Sequence, residues 1–137
     1  MTDRSATELM QEAMPFVATL GARADRYTPE EVVLSLDWAP GLCTAGGILH
    51  GGVIMSLADS AGGACALLSL PKDASGTATI ESKTNFLGAV RSGTVIATAT
   101  PLHIGGTTIV VETSVRDSSG RQVAKVTQTQ MVLRPRT

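Results

Sequence analysis

The sequence predicts an α+β fold in which one long central helix is wrapped by an antiparallel sheet of about six strands. Three observations support this prediction. One long helical segment of small and apolar residues lies in the middle of the chain, strand-like segments flank it on both sides, and the later strands are joined by short turns. A chain of 137 residues has the size of one domain, so we expect a single domain over residues 1–137.

The first part of the chain predicts a leading helix followed by two strands. Residues 1–15 contain helix-forming residues with a short apolar stripe at Leu9, Met10 and Met14. Residues 18–38 then alternate apolar and polar side chains on either side of Thr28-Pro29, which is typical of two strands and a turn.

The central helix is predicted over residues 48–70, where apolar side chains recur at helical spacing. Its composition is unusual because many residues are small: Ala58, Ser60, Ala61, Gly62, Gly63, Ala64 and Ala66. Each of the two adjacent glycines lowers helix stability by about 1 kcal/mol relative to Ala. Such a helix needs tertiary contacts, so we expect either a sheet wrapped round it or a partner helix.

Four strands follow, predicted over residues 77–87, 94–104, 107–116 and 122–133. They are rich in Val, Ile and Thr and are separated by short segments of Gly, Ser and Asp. A parallel return would need a crossover of about a dozen residues. The strands are therefore expected to pair antiparallel.

Composition and charge exclude several classes of function. The net charge of −1 gives no basic surface for nucleic acid or an anionic membrane. The N-terminal residues do not resemble a secretory signal, and no apolar run approaches the roughly 18 residues of a spanning helix, so we expect a cytoplasmic protein without a membrane partner. Cys43 and Cys65 form no C-x-x-C pair and suit reduced thiols.

The sequence also predicts that no metal or nucleotide cofactor takes part. It contains two His and two Cys without clustering, which makes a zinc site improbable. It has no Gly-rich nucleotide-binding motif of the P-loop or Rossmann type and no serine-hydrolase elbow.

The most informative segment surrounds the start of the central helix. Gly51 and Gly52 lie where backbone N–H groups lack intrahelical partners and the helix dipole is positive, so this end predicts an anion-binding site. Asp59 is an acid in the middle of the same helix among small and apolar neighbours. It is either a functional carboxylate or a surface residue on the solvent side of the helix.

The spacing of these residues predicts a dimer. Eight residues separate Gly51 from Asp59, which is roughly 12 Å along a helix axis. One substrate carbon cannot touch both groups in one chain. If both act on the same carbonyl, one must come from a second subunit whose helix lies antiparallel across a two-fold axis.

These residues lead to a family resemblance. The run from His50 to Gly52, followed by Leu57-Ala58-Asp59-Ser60-Ala61, resembles the signature of PaaI-like, phenylacetate-degradation-type thioesterases of the hotdog fold. Further matches extend the resemblance over residues 15–133: Asn85-Phe86-Leu87, His103-Ile104-Gly105 and Val115-Arg116-Asp117. The resemblance implies a hotdog fold, a homodimer that often pairs into a homotetramer, and an acyl-CoA substrate in which CoA is part of the substrate.

The resemblance also implies roles for individual residues. The N–H of Gly51 would polarise the thioester carbonyl, and Asp59 of the other subunit would act as nucleophile or general base. The remaining candidate residues are those expected to bind substrate or nucleophilic water: Thr44, His50, Gly52, Gly63, Thr79 and Arg91.

Two departures from the family pattern concern substrate binding. Thr44 replaces an Asn commonly found six positions before the His, and Gly88 and Gly106 replace basic residues that grip CoA phosphates. Arg91 and Lys83 are the nearest remaining basic candidates.

Two other functions remain open at this point. The missing basic residues favour a non-catalytic module that binds acyl-CoA. A hotdog hydratase or dehydratase is less favoured, because such enzymes pair an acid with a His on or near this helix and no His follows Asp59 there. His50 is expected to shape the helix start rather than to transfer protons.

Overall fold

A computed structural model describes residues 4–136, with side chains from Ala6 onward. Its helices and strands, in chain order, are α1 Arg4–Ala13, α2 Pro15–Leu20, β1 Arg23–Tyr27, β2 Val32–Asp37, α3 Gly51–Leu68, β3 Gly76–Phe86, β4 Thr94–Ile104, β5 Thr108–Arg116 and β6 Gln122–Leu133. Short 3₁₀ turns at Pro40–Leu42 and Ala45–Gly47 lie between β2 and α3.

The six strands form one antiparallel sheet in the order β1-β2-β4-β5-β6-β3. Helix α3 contacts β2, β3, β4, β5 and β6, so the sheet wraps round it. This arrangement is the hotdog fold. The prediction of an α+β fold with a long central helix inside an antiparallel sheet is confirmed.

The small residues of α3 are explained by this wrapping. The buried face of the helix includes Ile54, Leu57, Ala61 and Cys65, which pack into a core with inward-facing strand residues such as Val95. Small side chains let the helix backbone approach the sheet closely, and the contacts with five strands supply the stability that its glycines do not.

Helix α3 also bears on the expectation about membranes. By length and composition its 18 residues are sufficient to cross a membrane, contrary to the sequence-based expectation that no apolar run approaches this length. Half of this helix is buried inside the domain, as is usual for a core helix.

The helix boundaries differ from those predicted. The leading helix predicted over residues 1–15 is divided, because Pro15 disfavours helical backbone at Met14, which has φ −127° and ψ 83°. A second helix then extends to Leu20 and includes residues 18–20, for which the sequence predicts a strand. The central helix begins at Gly51 rather than at residue 48, because His50 is extended and caps it, and it ends at Leu68. Residues 1–3 of the leading segment lie outside the described part of the chain.

The sheet order leaves β3 at an edge. This strand has 11 residues and pairs only with β6 among the described strands, so one row of its backbone N–H and C=O groups faces outward. Its side chains are mostly exposed and include the apolar residues Ile80 and Phe86. A long open edge of this kind favours pairing with another chain.

Candidate active site

The start of α3 presents one unpartnered backbone amide. His50 is the N-cap, and its Nδ1 accepts a hydrogen bond of 2.8 Å from the N–H of Gly52. The N–H groups of Val53 and Ile54 both donate to the carbonyl of His50. Within residues 4–136 the N–H of Gly51 donates to no protein group. Gly51, and not Gly52, therefore offers the free donor at the positive end of the helix.

The environment of Gly51 also favours a small residue. The ring of Phe86 lies 3.2 Å from the position that a Cβ on Gly51 would occupy. A Cβ here would press on that ring, which would have to move by a few tenths of an ångström. In the sequence, Phe86 is identified only through the family resemblance. Its proximity to Gly51 depends on where the end of β3 lies relative to the start of α3.

Asp59 lies two turns further along α3, beside strands β3 and β6. Its side chain is open to solvent in the single chain, although the surrounding walls partly desolvate the carboxyl. This desolvation raises the pKa of Asp59 above its ordinary value of 3.8. Gln128 opposes part of the rise by donating from Nε2 to Asp59 Oδ1 at 3.4 Å. The carboxylate is thus more basic than an ordinary surface Asp.

A cleft of about 360 Å³ opens beside Asp59. Its walls come from the α1–α2 junction, β1, α3, β3 and β6, and they include Tyr27, Gly63, Leu67, Thr79 and Gln130. Gly63 has no neighbouring atom within 4 Å of the position its Cβ would take, so this wall is open. The cleft is large enough for a small organic group to lie next to the carboxyl.

Thr79 is held in this cleft by its neighbour across the sheet. It stands opposite Gln130 in the β3–β6 register, and Gln130 Nε2 donates a hydrogen bond of 2.7 Å to Thr79 Oγ1. Asp59, Gly63 and Thr79 are each predicted from the sequence as site residues, and all three lie round one cavity.

The other predicted residues lie elsewhere in the single chain. Thr44 is exposed in the loop before α3, where its N–H donates to Ile48 at 2.8 Å. His50 and Gly52 line a separate cavity of about 270 Å³ at the helix start. Arg91 lies in a third depression beside Asp117 and Arg121.

The helix start and the Arg91 depression are nevertheless adjacent. The N–H of Leu49 donates to the carbonyl of Val90 at 2.8 Å, which places the segment before Arg91 next to the segment before Gly51. The structure thus groups the predicted residues into the cleft at Asp59 and the region round Gly51. These two groups are separated by roughly 12 Å along the helix axis.

Two residues of this site were missed from the sequence. Gln128 and Gln130 point inward from β6. Val126 and Val132 lie on the same inward face, on either side of them. The signal in the sequence is a pair of amide side chains at strand positions where apolar residues are expected. What they contact could not be read from it, because their partners lie on α3 and β3.

The wrapped helix, its free N-terminal amide and the acidic cleft define a hotdog-fold domain with a candidate hydrolytic site. Residues 46–124, more than half of the chain, match the family described as the thioesterase superfamily. The protein SSO2140 of Saccharolobus solfataricus is 30% identical over 131 residues, covering 96% of this chain and 92% of that protein.

Solved structures agree with this match. Thioesterase HI1161 from Haemophilus influenzae superposes with a TM-score of 0.85 at 25% identity, covering 92% of this chain and 88% of that one. A thioesterase family protein from Silicibacter pomeroyi superposes with a TM-score of 0.84 at 30% identity, covering 94% and 96%. The chain belongs to the thioesterase superfamily, and its resemblance to hotdog thioesterases is confirmed.

Proposed function

We propose that this protein is a cytoplasmic acyl-CoA thioesterase that hydrolyses its substrate to a free acid and CoA. The observation that carries the proposal is the pairing, on one helix, of an unpartnered amide at Gly51 with a carboxyl of raised pKa at Asp59. An N–H donor at a helix N-terminus stabilises a developing oxyanion, and a basic carboxylate supplies the nucleophile or the general base. Thioester hydrolysis needs both.

The proposed active unit is a homodimer with two shared sites, which further pairs into a homotetramer. Gly51 and Asp59 of one chain are too far apart to act on one carbonyl. The open edge of β3 supports a two-fold arrangement, because antiparallel pairing with a second β3 would satisfy its outward backbone groups. Under that symmetry the two α3 helices run antiparallel, so Gly51 of one chain approaches Asp59 of the other.

Two routes are open to Asp59. In the first, its carboxylate attacks the thioester carbon, the C–S bond breaks, CoA leaves as the thiolate, and water hydrolyses the resulting anhydride to return the carboxylate. In the second, the carboxylate removes a proton from water as that water attacks the same carbon; the C–S bond then breaks, and CoA leaves as the thiolate and takes up the proton held by the carboxyl. In both routes the N–H of Gly51 donates to the carbonyl oxygen as negative charge develops there.

The proposed substrate contacts follow from the two groups of residues. The acyl chain occupies the cleft lined by Gly63 and Thr79, with CoA leading away past the region of the helix start. Arg91 is the proposed contact for a CoA phosphate. In the single chain neither histidine lines the cleft: His50 and His103 both lie outside it. The shared site would bring His50 of the second chain close to Asp59, with its Nδ1 already accepting from the N–H of Gly52.

The test is release of free CoA from aryl, short-chain and long-chain acyl-CoAs, followed by chromatography so that the protein's own thiols do not interfere. Asp59→Asn should lower kcat by at least about 10²-fold while the protein stays folded. Asp73→Asn, which changes an exposed acid outside the cleft, is the matched control and should leave kcat unchanged. Hydrolysis untouched by Asp59→Asn would overturn the mechanism.

A second outcome would favour the alternative function. If no acyl-CoA is hydrolysed but one binds with a measurable Kd, the protein is a non-catalytic acyl-CoA-binding module. The dimer is tested separately by sedimentation, and a monomer that hydrolyses acyl-CoA would contradict the shared site.

A further inference from the structure

Two fully buried glutamines stand directly behind the cleft. Gln128 and Gln130 are each 1% exposed and point inward from β6, in positions where Val126 and Val132 continue the same face. Burying a primary amide is unfavourable unless its hydrogen bonds are restored inside the protein. Val or Leu at these positions would continue the apolar face, so the contacts of the two amides indicate what they do.

Packing holds the buried Gln128 side chain, and its one side-chain hydrogen bond among the described residues goes to Asp59. Its Nε2 donates to Asp59 Oδ1 at 3.4 Å, while its Oε1 is buried and accepts no hydrogen bond within the described residues. A half-satisfied amide adds little to the stability of a core. Its other close neighbour is Gly62 of α3, where any Cβ would overlap Oε1. The helix therefore leaves space for this amide one turn from the carboxyl that it contacts.

Gln130 makes the corresponding contact with Thr79. Because Gln130 Nε2 donates to Thr79 Oγ1 at 2.7 Å, one lone pair of the hydroxyl is occupied by the wall of the sheet. The hydroxyl hydrogen of Thr79 must then point away from that donor. Thr79 lines the cleft, so the direction left to it is towards the cavity that also contains Asp59.

We propose that Gln128 and Gln130 are paired positioning residues: Gln128 fixes the orientation of the Asp59 carboxylate, and Gln130 makes the Thr79 hydroxyl a donor directed into the cleft. The two amides lie two residues apart on one strand. Each donates a hydrogen bond to a different polar group of the site. This inference rests on the proposed thioesterase function and concerns the orientation of the Asp59 carboxylate and the Thr79 hydroxyl.

The test compares three single substitutions of one kind in one strand. Gln128→Met and Gln130→Met preserve side-chain volume and remove the amide, and Gln122→Met is the matched control at the far end of β6, where Gln122 bonds to Ser114. Steady-state kcat and KM are measured across pH on the best acyl-CoA, and thermal unfolding confirms that each variant is folded.

Each variant has its own expected signature. Gln128→Met should lower kcat about tenfold and move the acid limb of the pH–rate profile to higher pH, because a hydrogen bond to the charged carboxylate is lost. Tyr27 is the other titratable residue of the cleft wall, and burial raises its pKa, so it stays neutral over that limb. Gln130→Met should lower kcat without moving the limb, and Gln122→Met should change neither.

A double-mutant cycle separates positioning from general disruption. In a Thr79→Ala background, Gln130→Met should have little further effect on kcat, because the hydroxyl that it orients is gone. Additive losses would overturn the role of Gln130. An unchanged kcat and an unmoved acid limb in folded Gln128→Met would overturn the role of Gln128.

The contact between Gln128 and Asp59 can also be tested without a substrate. Carboxyl carbon NMR of the native protein and of Gln128→Met then reads the titration of Asp59 directly, with Asp59→Asn used to assign the signal. A higher Asp59 pKa in Gln128→Met supports the positioning contact even though the thioesterase proposal fails. An unchanged Asp59 titration refutes the contact whatever the activity.

Discussion

Replacing Gly63 with Ala should stabilise the domain, whereas the same change at its neighbour Gly62 should destabilise it. Both lie inside α3, where Ala is more favourable than Gly by about 1 kcal/mol. At Gly63 the new methyl meets no atom within 4 Å, so most of that gain should be realised. At Gly62 it would overlap the buried amide of Gln128. Overpacking of this kind lowers stability by about 1–3 kcal/mol, which outweighs the gain.

The assay is thermal and urea unfolding followed by circular dichroism, at one protein concentration because a dimer makes Tm concentration-dependent. For a domain of this size about 1 kcal/mol corresponds to roughly 3–5 °C. We expect Gly63→Ala to raise Tm by about 2–4 °C and Gly62→Ala to lower it by a similar amount. A Gly62→Ala protein as stable as Gly63→Ala would refute the packing of Gln128 against α3.

Three further predictions use other features of the structure. Burial raises the pKa of Asp59 above 3.8, so ionisation of this carboxyl favours the unfolded state. Asp59→Asn should therefore be more stable than the native protein at neutral pH. The difference in unfolding free energy should vanish below pH 3.8, where the carboxyl is protonated in both states. His50→Ala removes the cap on Gly52 and should lower the unfolding free energy by about 1 kcal/mol in urea titrations, with His50→Asn recovering most of it. Burial raises the pKa of Cys65 to about 11, so an aromatic disulfide reagent at pH 8 should modify Cys43 first and Cys65 only on unfolding; equal rates would contradict this.

Much of the fold could be predicted because its signals are local. The helical spacing in α3 and the alternation in the later strands are properties of short segments. Strands β4 and β6 begin and end at the predicted residues, and β3 and β5 do so within one residue. The error in the leading segment was also local. Pro15 is a residue type that starts helices, and its place inside the leading segment indicates a division there.

The candidate site could be predicted only where one segment contains the chemistry. Gly51 and Asp59 share a helix, so their separation follows from helix geometry alone. The contact between Gln130 and Thr79 depends on the register of β3 against β6, and a shift of one residue would place the two side chains on opposite faces of the sheet. The sequence contains no turn that fixes this register, since the two strands are not consecutive.

The pairing of β3 with the last strand has a consequence for synthesis of the protein. Thr79 and Gln130 are 51 positions apart, so the wall of the cleft forms only after most of the chain has left the ribosome. Until β6 arrives, β3 has two open edges and displays Ile80 and Phe86, which makes it prone to aggregate. Lys83 and Glu81 interrupt that strand with charge and so protect the nascent chain during this interval.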